Sequence, residues 1–155
     1  MNWNAKRFLK ELQKNCGTNH AIIARDILKW SIENQFDITF GKGNIDGSFA
    51  PCFVYNGKNH PLFSVKTYGK IELNFQYYTK YPPFDREEKR IELWRELNGI
   101  LDEQIPIKKI DKLPKIPILE LENEQIFKEF IGIFEWFVQE IKTRSSNIKV
   151  SEEVD

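Results

Sequence analysis

Between Phe36 and Tyr78 the chain is cut by glycine at positions 41, 43, 47, 57 and 69, and between the glycines β-branched and aromatic residues alternate with polar ones. This spacing restricts the fold more than any other feature. Short runs of period two form strands, and the joints between them are too short for a crossover helix, so neighbouring strands are antiparallel. The pattern predicts four strands, near 36–41, 48–55, 61–67 and 70–78, in a continuous meander. Asn56-Gly57 tolerates positive φ at both central positions of a two-residue hairpin turn. Tyr68-Gly69 stands between two further strand-like runs.

Helical spacing flanks this zone on both sides. Ala5, Phe8, Leu9 and Leu12 share one face of a helix over 4–14, stopped at Gly17, where glycine accepts a left-handed cap. Thr18 opens a second helix to about Asn34 that buries Ile23, Ile27 and Trp30, with Ile22, Leu28 and Ile32 widening the buried face. Pro82 and Pro83 end the fourth strand, and Asp85 is placed to cap a third helix whose buried stripe is Ile91, Trp94 and Leu97. Pro106, Pro114 and Pro117 make 101–122 an extended strap with isoleucines turned inward, and with room for a short strand. Asn123 caps a last helix through Ile126, Phe127, Phe130, Phe134, Phe137, Val138 and Ile141. Ile131, Ile133 and Trp136 make its apolar stripe broader than one buried face, and so are interface candidates for another protein or a second copy.

Residues 144–155 lose this period and turn polar and acidic, as in a mobile tail. The expected architecture is one α+β domain over 1–143: a four-stranded antiparallel meander sheet with helices packed on one face, in the order helix, helix, four strands, helix, strap, helix, followed by a flexible acidic tail over 144–155.

Twelve Phe, five Tyr and four Trp in 155 residues supply enough buried area for one core without disulfide or metal. Cys16 and Cys52 are read as free thiols, which suits a reducing compartment. No window has the length of a membrane span, and the first residues lack the signal-peptide succession, so the expected location is the cytoplasm, with no membrane partner. Net charge is zero, but residues 1–84 carry eleven Lys and Arg against six Asp and Glu, and residues 85–155 carry twelve against seventeen. Such an asymmetry orients a molecule toward a polyanion.

Gly41, Gly43 and Gly47 are spaced GxGxxxG and lead into a strand, so neither a Walker loop nor a dinucleotide fingerprint is present; the loop reads first as a hairpin connection, with Lys42 as its ligand candidate. His20 and His60 have no metal-ligand spacing, and no cofactor is expected. Cys52 and His60 stand nearly symmetrically about Asn56-Gly57, a geometry for a Cys-His couple that ranks below two packed side chains. Phe63-Ser64-Val65-Lys66 and Glu72 fall short of the acidic-then-ExK set of a metal-dependent nuclease. Lys66, Lys70, Tyr77 and Tyr78 interleave charge and rings as nucleic-acid surfaces do, and are the remaining ligand candidates. In a one-faced sheet the same pattern makes a core backed by solvated lysines. Lys108, Lys109, Lys112 and Lys115 read as the solvated edge of the strap, and Arg86-Glu87-Glu88-Lys89-Arg90 as a solvated helix face.

The stretches FGKGNIDGSFAPCF, PLFSVKTYGKIELNFQ and PPFDREEKRIELWRELNGI resemble an uncharacterised bacterial domain found alone or at the ends of restriction-like and other defence-associated proteins. The resemblance spans residues 18–142 and rests on glycines, prolines and aromatics that set a fold. It implies a context without a reaction; a nuclease centre in such a protein would lie in another domain. Three expectations follow: a recognition module for nucleic acid, a protein-interaction or oligomerisation domain built on the last helix, and an enzyme centred on Lys42, Asp46 and Ser48.

Overall fold

The computed structural model describes residues 2–154, with side chains described over 2–143. Two helices, α1 (Ala5–Cys16) and α2 (Thr18–Glu33), lead into strands β1 (Asp37–Phe40), β2 (Ser48–Tyr55), β3 (Lys58–Pro61), β4 (Phe63–Lys66) and β5 (Lys70–Leu73). A short turn of helix α3 (Phe75–Tyr78), helix α4 (Glu87–Asn98), strand β6 (Lys115–Pro117) and helix α5 (Glu124–Val154) complete the chain. The architecture is α+β with an antiparallel sheet. The expected tail over 144–155 falls on residues whose side chains lie outside the described set.

Local chemistry explains the joints. Asn4 caps α1 by accepting from the Arg7 amide at 2.8 Å, and Gly17, at φ +106°, lets α2 start immediately after α1 ends. The β2–β3 hairpin turns on Asn56 at φ +52° and Gly57 at φ +75°, the pair of positive angles that suits the right-handed twist of the strands. Between β4 and β5 the Gly69 amide closes a turn onto the Lys66 carbonyl at 3.0 Å, and Gly69 itself takes φ +90°.

The sheet runs β1-β2-β4-β5-β6, with β3 on the distal half of β2. β3 and β4 are one meander strand interrupted at Leu62, whose amide still reaches the Pro51 carbonyl at 2.9 Å. Two details differ from the sequence expectation. The fourth strand stops at Leu73, because 75–78 wind into α3 with the Tyr77 and Tyr78 amides bonded to Asn74. The short strand for which the strap has room, β6, joins the sheet by pairing antiparallel with β5, so the sheet extends beyond the four expected strands.

Helices cover one face. Phe40, Phe49, Val65, Ile71 and Ile116 stand in register on it. Phe8 of α1 meets Phe49 edge-on at 4.8 Å, and Phe63 packs between Phe130 and Phe134 of α5 and the stacked indole of Trp30. α5 lies between α2 and α4, and this explains its broad apolar girth. Phe130, Phe134, Phe137 and Ile141 meet the core, Phe127 and Ile131 turn toward α2, and Ile133 and Trp136 toward α4.

Burial corrects three readings. Ile22 and Ile32 are exposed, so α2 buries a narrower face than its composition indicates. α4 begins at Glu87 with Arg86 as its cap, beyond Asp85. Lys89 and Arg90 are buried, whereas the charged run was expected to be solvated throughout. Arg90 donates to the carbonyls of Phe84, Asp85 and Ile110 at 2.8–3.0 Å and so pins the strap to α4. Lys89 pairs with Glu92 at 2.9 Å and with Glu140 of α5. Burial opposes its ammonium, but the hydrogen bonds and charges of Glu140 and Glu92 prevail and raise its pKa.

Candidate functional site

Strand alternation sends every second residue away from the helices. On that side the side chains of Thr39, Ala50 and Ser64 are short, which leaves the middle of the face shallow. Charge gathers at one end of it. The register sets Ser64, Glu72 and Lys115 in one row across β4, β5 and β6, and Ser48 beside Lys66 in the next. Lys70 follows one step along β5, opposite Pro117.

Within this cluster the Lys66 ammonium lies 3.7 Å from the Glu72 carboxylate, and both side chains are largely shielded by their neighbours. The Lys115 ammonium sits 5.2 Å from the centre of the Tyr68 ring. The Tyr68 hydroxyl, foremost, and the Glu72 charge raise the Lys115 pKa, against a smaller opposing effect of burial. Tyr68 itself is 39% exposed at the turn between β4 and β5. Two ammoniums, of Lys66 and Lys115, therefore flank the Glu72 carboxylate, Lys115 also lies at the solvent-facing Tyr68 ring, and Lys70 shares their face of the sheet. Such a group attracts an anionic polymer and offers a surface for a planar base.

The glycine loop borders the same end. Thr67 accepts from the Gly47 amide through its hydroxyl and donates its own amide to the Gly47 carbonyl, both at 3.0 Å, so loop and turn move as one piece. The loop glycines answer to packing. A Cβ on Gly47 would meet the Trp3 ring at 2.6 Å, and the Trp3 indole N–H donates to the Gly43 carbonyl at 2.7 Å. The Gly41 amide is spent on Ser48, and the Gly47 amide on Thr67. Lys42 is exposed on this loop, at its β1 end. Asp46 is exposed and Ser48 half-buried, and among the described residues no hydrogen bond or ion pair joins Lys42, Asp46 and Ser48.

Of the ligand candidates, Lys66 and Lys70 share the open face, and Lys42 lies next to it. Tyr77 and Tyr78 are elsewhere, in α3. Tyr77 is exposed, with the Lys80 ammonium 5.1 Å from its ring centre. Tyr78 is a core residue: its hydroxyl donates to the Leu62 carbonyl, and burial drives its pKa far upward. It therefore cannot stack on a ligand. Tyr68 and Lys115 complete the cluster in their place. Their signal was available only in part: Pro114 and Pro117 hold Lys115 extended, but the pairing of β6 with β5 is a long-range event.

Ile131 and Ile133, at 8% exposure each, are buried within the chain, and Trp136 is half-buried against Phe84 at 5.8 Å. Ile133 and Trp136 also floor a cleft of about 730 Å³ between α4 and α5. Cys52 and His60 cannot act as a couple, because Cys52 pairs with Pro61 and His60 with Phe53, which places the two side chains on opposite faces. His60 is packed between Phe53 and Tyr81, and burial, aided by Lys58, lowers its pKa.

Among the described residues no three His, Cys, Asp or Glu converge as metal ligands do, and no helix is long and apolar enough to cross a membrane. No family model matches the chain, and neither the curated proteins nor the solved structures contain a significant match to it.

Proposed function

We propose that this chain is a non-enzymatic recognition module that binds single-stranded nucleic acid across the open face of its sheet. One observation carries the reading: strand register puts Lys66, Lys70 and Lys115 on the sheet face opposite the packed helices, with Lys115 beside the exposed ring of Tyr68. Lysines neutralise successive phosphates, and a solvent-facing ring accepts a base without regard to sequence. The neighbouring loop with Lys42 extends the positive surface. A recognition role also suits the defence-associated context that the sequence resemblance implies.

The test is fluorescence anisotropy with short single-stranded RNA and DNA over a range of salt. Binding should be tightest at low salt, should weaken with a slope set by about three phosphate contacts, and should fall at least about tenfold in Lys66→Glu combined with Lys115→Glu. Tyr68→Ala should weaken it further, by the about 1–3 kcal/mol expected of one stacked base. Failure to retain either nucleic acid at low salt refutes the proposal.

A further inference from the structure

The cleft between α4 and α5 is walled by two helical stripes of identical spacing. On α4 and its C-cap these are Glu92, Arg95, Glu96 and Gly99, and on α5 Glu129, Gly132, Ile133 and Trp136. In each case the interval is i, i+3, i+4, i+7, the signature of one continuous helix face, so the two walls run side by side as a trough. Its floor is apolar, from Ile133, Trp136 and Ile100, and of the three glutamates along its rim Glu92 is paired with Lys89, whose ammonium also lies 5.3 Å from the Trp136 ring centre, which leaves Glu96 and Glu129 against Arg95. The trough continues past Ile100 into a second depression bordered by Asp102, Glu120 and Glu122.

Gly132 adds an independent observation. It lies in the interior of a helix, where glycine is destabilising relative to alanine. Nothing in the chain requires it there: a Cβ at this position meets no atom within 4 Å. Gly47, by contrast, is a glycine because the Trp3 ring lies against it. The missing side chain at 132 leaves space at the edge of the trough that none of the described residues fills.

We propose that the α4–α5 trough is the docking site for a short basic peptide segment of another protein, with an apolar side chain seated against Trp136 and Ile133 and flanking lysines or arginines against Glu96 and Glu129 on its two walls. Charge complementarity selects this occupant. A nucleic acid is repelled by the same glutamates, and the acidic rim favours ammonium or guanidinium groups placed on either side of an anchor. The apolar floor adds the contact area that surface charge alone lacks. This surface is separate from the sheet face, and neither needs the other to bind.

The test uses a labelled peptide of about ten residues with lysines on both sides of a central Leu-Trp pair, a counterpart with glutamates in place of the lysines, and a lysine peptide without the apolar pair. The first should bind and the other two should bind at least about tenfold more weakly. Gly132→Leu, which fills the trough, should weaken the first by a further factor of about ten, and Glu96→Lys with Glu129→Lys should abolish it. Gly132→Ala should raise the melting temperature and so show that the helix tolerates change there, and Lys66→Glu should leave peptide binding unaltered. Equal binding of all lysine peptides, or binding insensitive to Gly132→Leu, overturns the proposal. So does a homodimer, seen by sedimentation of the chain alone, that Gly132→Leu dissolves, because the occupant would then be a second copy.

Discussion

The open sheet face and the α4–α5 trough are opposites in nearly every respect. The first is shallow, basic and built by residues that precede Pro82, with Lys115 added from the strap; the second is concave, acidic and built wholly by residues that follow it. A chain of zero net charge thus carries a basic cluster on one surface and an acidic rim on another. Charge that cancels in the net total still yields two local fields, each effective within the roughly 10 Å over which salt leaves it unscreened. The difference teaches that neutrality here describes the sum and neither surface.

The most severe way to break the contrast is to remove the support both surfaces share. Phe63 is fully buried between Trp30, Phe130 and Phe134, so Phe63→Ala should cost about 3–5 kcal/mol in urea unfolding and lower binding at both surfaces together. Next is Arg90, which holds three carbonyls and ties the strap that carries Lys115 to the helix that walls the trough. Arg90→Met should destabilise by about 3 kcal/mol, and its signature is a coupled loss, seen as weaker nucleic-acid binding in a variant changed far from the sheet.

The meander was legible because its determinants are local: Asn56-Gly57 dictates its own turn, and the alternation in Phe63-Ser64-Val65-Lys66 dictates its faces. Lys66 and Lys70 could be assigned to a surface on that basis. Where position depends on distant partners, the sequence is mute. Arg90 looks like any solvated helix arginine until Ile110 arrives beneath it, and Tyr78 reads as a strand residue until α3 turns it toward Leu62 and Phe137. The width of the α5 stripe was visible, but its cause, two flanking helices in addition to the sheet, was not.

Smaller effects sharpen the contrast by touching one side only. Gly132→Ala should stabilise the chain by about 1 kcal/mol in thermal or urea unfolding and leave nucleic-acid affinity unchanged. The least effect is expected from His60, which belongs to neither surface. Its pKa is lowered in the folded chain, so the neutral ring is favoured. The stability it contributes is fully present above its ordinary value of 6.5 and is lost as the pH falls through that value toward the folded one. Urea midpoints followed from about pH 8 to pH 5 should show a shallow decline, and His60→Phe should flatten it.

The pairing of β6 with β5, and of Phe130 and Phe134 with Phe63, has a consequence for how the chain is made. Synthesis delivers the meander with only α1 and α2 to cover its apolar side. Strand β6 and helix α5 follow later. A nascent chain halted before Glu124 should therefore leave part of that apolar face exposed and become a chaperone client, whereas a chain that includes α5 folds this helix over the surface within the molecule.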